Sequence, residues 1–93
     1  MVTEVHEDVG VWELRIEGFE EKLKIKVYRT TNSSFPYWGR ANFRVKSSKQ
    51  DASYLAVNSQ ETIDDAIMEA LSGFLAYHDT HDPEMQYIPV EDW

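Results

Sequence analysis

The sequence predicts a small two-layer α+β domain, an antiparallel meander sheet of three or four strands with one C-terminal amphipathic helix packed on one face. Three observations predict it. The chain has 93 residues, the length of one domain. Residues 59–79, SQETIDDAIMEALSGFLAYHD, carry apolar side chains at three- and four-residue steps. Residues 22–29 and 38–46 instead alternate apolar and polar side chains, the period of a half-buried strand.

Residues 1–8 form an acidic N-terminus expected to be flexible, 9–79 the folded domain, and 80–93 a C-terminal tail able to dock on it. Residues 9–16, VGVWELRI, read as the first strand, with Trp12, Leu14 and Ile16 inward and Glu13 and Arg15 outward. The connection Glu17-Gly18-Phe19-Glu20-Glu21 supplies a glycine for a turn. Residues 22–29, KLKIKVYR, put Leu23, Ile25 and Val27 on one face and Lys22, Lys24, Lys26 and Tyr28 on the other. Residues 30–37 are a loop. Residues 38–46 send Ala41, Phe43 and Val45 inward and Arg40, Asn42, Arg44 and Lys46 outward. Residues 53–57, SYLAV, are a short fourth strand leading into the helix.

The helix buries a stripe of Ile63, Ala66, Ile67, Ala70, Leu71, Phe74 and Leu75. Thr62 is the preferred N-cap and Ser59 the alternative; either leaves carboxylates in the first turn, where the helix dipole favours them. Pro83 cannot continue a helix, so the end is expected near His78. In the tail, Met85, Tyr87, Ile88 and Val90 are apolar enough to dock, while Pro89 argues against a central strand. One helix seldom covers a whole sheet face, so the tail or a second copy of the chain is expected to supply the remaining cover.

The chain has no cysteine, no apolar leader and no apolar run of membrane-spanning length, which reads as a soluble cytoplasmic protein. Its net charge of −8 hides a segregation. All nine basic residues lie between Arg15 and Lys49, with only Glu17, Glu20 and Glu21 among them, a window of +6. Residues 1–14 carry −4 and residues 50–93 carry −10. Such asymmetry marks either a polyanion-binding surface or a basic sheet that meets acidic segments of its own chain.

Three groups of residues could carry function. Lys22, Lys24, Lys26, Arg40, Arg44 and Lys46, with Tyr28 among them, form a basic sheet face; cations neutralise phosphates and rings stack on bases. The same face is also what a solvated, aggregation-resistant sheet looks like. Phe35, Tyr37 and Trp38 form an aromatic loop suited to a protein contact or to closing the core. His78 and His81, in HDTHD, are metal-ligand types at a three-residue step, or the polar exit of a helix. The isolated glycines cradle no phosphate, no nucleophile elbow is present, and Asp64 and Asp65 point in different directions from one helix. The expectation is a non-enzymatic protein-interaction domain without a cofactor, self-associating or bound to a protein partner. The alternative is nucleic-acid or other polyanion binding through the basic face.

Overall fold

In the computed structural model, residues 6–31, 33–48, 58–91 and 93 are described. Their elements are β1 (His6–Leu14), β2 (Leu23–Thr30), β3 (Tyr37–Ala41), β4 (Phe43–Lys46), α1 (Ile63–Leu75) and β5 (Gln86–Pro89). β1, β2 and β3 form an antiparallel sheet in that order, and β4 and β5 form a second, two-stranded antiparallel sheet. The helix packs on β3, β2 and β4. The molecule is a small α+β domain, as the sequence predicts. No helix among the described residues is long and apolar enough to cross a membrane.

Leu23, Ile25 and Val27 are fully buried on the inner face of β2. They face Ala66, Ala70 and Phe74 of α1, and Ala41, Val45 and Phe19 complete the core. Thr62 caps the helix: its hydroxyl accepts from the Asp65 amide at 3.1 Å. The last helical residue is Leu75, three short of His78, and the Ala76 amide closes onto the Ser72 carbonyl. Small residues bring the helix close to the sheet. A Cβ on Gly39 would stand 2.6 Å from the Ala66 carbonyl oxygen and 3.2 Å from the Ala70 methyl.

Several elements differ from expectation. β1 starts at His6, so residues 6–8 of the expected flexible segment are strand; Glu7 lies opposite Arg29 and bridges it at 2.6 Å. The strand ends at Leu14, and the register slips at Val9 in a bulge between Asp8 and Gly10. The expected strand 38–46 breaks at Asn42 and changes partner there. Before Asn42 it pairs with β2, and after it with β5. Asn42 joins the two ladders. Its amide donates to the Lys24 carbonyl, its side-chain oxygen accepts from the Lys24 amide at 2.8 Å, and its carbonyl accepts from Val90.

The tail is structured: Pro89 ends β5, and Val90 is buried. Phe19, read as part of a turn, is a core residue. Its ring meets Phe43 at 5.1 Å, Phe74 at 5.3 Å and Tyr87 at 4.5 Å. The fourth strand expected at residues 53–57 lies outside the described residues.

Trp12 departs furthest from expectation. It stands opposite Ile25 and so shares the inner face, yet it is 37 % exposed where Ile25 is fully buried. β1 is the edge strand, whereas the helix sits over β3 and β2. The indole instead folds back along its own strand, where a Cβ on Gly10 would meet it at 3.0 Å.

Candidate interaction surfaces

Alternation along the strands sorts the outer face of the first sheet. Val11 and Glu13 of β1 stand opposite Lys26 and Lys24; Lys26 and Tyr28 stand opposite Arg40 and Trp38 of β3. Lys22, just before β2, reaches Glu13 at 3.4 Å; both groups are half exposed, so solvent screens the pair. Tyr28 and Trp38 stack with ring centroids 4.4 Å apart and planes 20° apart. Of the expected face, Lys22, Lys24, Lys26, Arg40 and Tyr28 stand together, with Trp38 beside Tyr28. Arg44 and Lys46 sit apart on β4, opposite Ile88 and Gln86 in the second sheet.

The tail reaches this face. The Trp93 ring lies under the Lys26 ammonium, 4.5 Å from nitrogen to ring centroid. Its indole N–H donates to the Arg40 carbonyl at 2.6 Å, and Lys26 Nζ donates to the Trp93 backbone oxygen at 2.7 Å. Arg40 makes one long bond, 3.4 Å, to the Glu91 carbonyl. The Nε groups of Arg40 and Arg44 are buried and have no hydrogen-bond partner among the described residues. A buried charged donor without an acceptor is costly.

The aromatic loop does not act as one unit. Phe35 is exposed. Tyr37 turns to the inner face against the core and exchanges two backbone hydrogen bonds with Gln60. Trp38 turns outward onto Tyr28.

The histidines are also separated in role. His78 Nε2 lies 2.8 Å from the Tyr87 hydroxyl, and its ring stacks on Phe74. His81 is exposed in a turn where its amide donates to the Asp79 carboxylate at 2.9 Å. Asp82 accepts from the Ser48 amide and hydroxyl. Among the described residues, no three His, Cys, Asp or Glu side chains converge as a metal site. Burial pushes the Tyr87 hydroxyl above its ordinary pKa.

The free edge of β1 was not singled out from the sequence. No strand among the described residues pairs with it. Val9, Val11 and Trp12 are 37, 49 and 37 % exposed along it. Apolar alternation in VGVWEL is the signal of a strand, but nothing in that pattern distinguishes an edge from a centre.

An open groove of about 500 Å³ lies at the other end of the core. Phe19, Phe43, Tyr87 and Pro89 line it, with Glu20 and Glu21 among its walls.

Comparison of the chain with protein-family models, curated proteins and solved structures finds no match.

Proposed function

We propose that this chain is a non-enzymatic protein-interaction domain that self-associates through the free edge of β1. The observation that carries this reading is the nine-residue edge strand with Val9, Val11 and Trp12 exposed along it. An open edge presents unpaired amides and carbonyls to a further strand. Two copies of one edge strand related by a two-fold axis pair antiparallel, which is the ladder β1 already makes with β2. The bulge at Val9 and the acidic side chains Glu7, Asp8 and Glu13 restrict which strands fit there.

Sedimentation velocity across a wide concentration range tests it. The expected species is twice the 10.9 kDa chain mass. Replacing Val11 by lysine should return the monomer. A wild-type chain that stays monomeric at millimolar concentration would sink the proposal.

A second reading, polyanion binding by the outer face, is favoured by a separate observation. Lys24, Lys26 and Arg40 share that face with the Tyr28–Trp38 stack, and the buried Arg40 Nε has no acceptor among the described residues. It makes no use of the β1 edge, so the two readings fail independently.

A further inference from the structure

We infer that the seat of Trp93 on the outer sheet face is a nucleobase seat, and that the tail occupies it in competition with a single-stranded nucleic acid. The inference rests on the polyanion reading above. Its ground is what the seat offers. Lys26 presents a cation to the face of a planar ring, and the Arg40 carbonyl accepts from a ring N–H. The same Lys26 ammonium holds an oxygen next to that ring. A nucleotide carries the same three features: an aromatic ring with N–H donors, and phosphate oxygens beside it.

The tail fills the seat incompletely. Arg40 donates one long bond to the neutral Glu91 carbonyl, and its buried Nε has no acceptor among the described residues. A phosphate supplies charged acceptors at two oxygens, which suits a guanidinium fork. Lys22, Lys24 and Lys26 recur every second residue along one face, about 7 Å apart at the rise of a strand. A row of that spacing tracks the phosphates of an extended single strand. The Tyr28–Trp38 stack lies beside Lys26 on the same face, with Lys26 Nζ 5.8 Å from the Tyr28 ring. Rings of this kind are stacking platforms for bases of any sequence. An acidic peptide would match the charges but would not need the row.

Because the tail and the nucleic acid share Lys26 and Arg40, closure of the tail lowers apparent affinity by the fraction of open molecules. The test measures fluorescence anisotropy of a labelled oligothymidylate of about twelve nucleotides, a length that spans one small domain. Three full-length chains are compared: wild type, Trp93→Ala and Met68→Ala. Trp93→Ala should bind about tenfold tighter than wild type, a tail closed in roughly nine molecules of ten. Met68→Ala should match the wild type, since its side chain is exposed on α1, which packs on the opposite face of the sheet. Binding by Trp93→Ala should weaken as salt rises and should vanish on adding Lys26→Glu. In wild type, the oligonucleotide should shift the indole N–H resonance of Trp93 as it leaves Arg40.

Equal binding by wild type and Trp93→Ala overturns the tail's role and leaves the polyanion reading standing. Weaker binding by Trp93→Ala also overturns it, since Trp93 would then be part of the binding surface. No binding by either chain overturns both. If Trp93→Ala ignores the oligonucleotide and binds a synthetic peptide of residues 88–93, the seat is a peptide seat and the inference falls.

Discussion

β1 and β2 have similar sequences and opposite fates. VGVWEL and KLKIKV both alternate, and each offers an apolar row to the same inner face. Ile25 is fully buried, while Trp12 across from it is 37 % exposed. The difference is position. β2 is flanked on both sides and covered by α1, whereas β1 has one strand neighbour among the described residues and the helix sits over β3, β2 and β4. The flank at β3 is closed by other means. Asn42 hands the strand from β2 to β5, Gln60 bonds to Tyr37, and the tail crosses to Lys26. One side of the domain is finished by its own chain, and on the other no further strand among the described residues pairs with β1.

Truncation separates the two sides most sharply. Phe74→Ala removes a buried ring that contacts Phe19, and should cost about 3–5 kcal/mol in urea unfolding. Trp12→Ala should change stability by less than about 1 kcal/mol while abolishing self-association, because its ring is 37 % exposed on the edge strand where Phe74 is buried. Equal losses at the two sites would mean that β1 is covered after all.

Gly39 tests the close approach of helix and β3. Its added Cβ would meet backbone at Ala66, which cannot turn aside as a side chain can. Gly39→Ala should therefore destabilise by about 1–3 kcal/mol, read from the thermal midpoint. A neutral result would show that the helix can lift off the sheet freely.

Asn42 tests the closed flank itself. Asn42→Ala removes the 2.8 Å bond to the Lys24 amide at the point where the strand changes partner. A loss of about 1 kcal/mol is expected, with faster amide exchange at Lys24 and Val90 than at Val11. Uniform exchange throughout would show that the handover is not a local joint.

The smallest effect is in the pH dependence at Tyr87. Burial raises its folded-state pKa above the ordinary 10.0. The folded state therefore holds that proton more tightly, and the associated stability is complete below about pH 10. It is lost as pH climbs through the folded-state value. Ultraviolet titration should show one of the five tyrosines ionising late, and Tyr87→Phe should remove that late component.

Local sequence was a good guide wherever local physics decides. The helix stripe, its Thr62 cap and the alternation of β2 follow from side-chain period and one hydroxyl, and each stands in the structure except at Leu75, which was expected inward but is exposed at the last turn of the helix. The basic face was legible for the same reason, since residues at every second position of a strand must share a side. Phe19 was not legible, because one ring among Glu17, Gly18, Glu20 and Glu21 has no period to betray its burial. The seat of Trp93 was not legible, because the residues that receive it lie far away in sequence at Lys26 and Arg40.

The amino-acid order was enough to establish the helix, its cap and the alternating faces of β2, because backbone geometry repeats every 3.6 or two residues. Three features came only with the folded chain: the partner change at Asn42, the docking of the tail on the cations, and the exposure of β1. Each depends on which segments become neighbours in space. That is set by which apolar surfaces the helix packs on, here those of β3, β2 and β4.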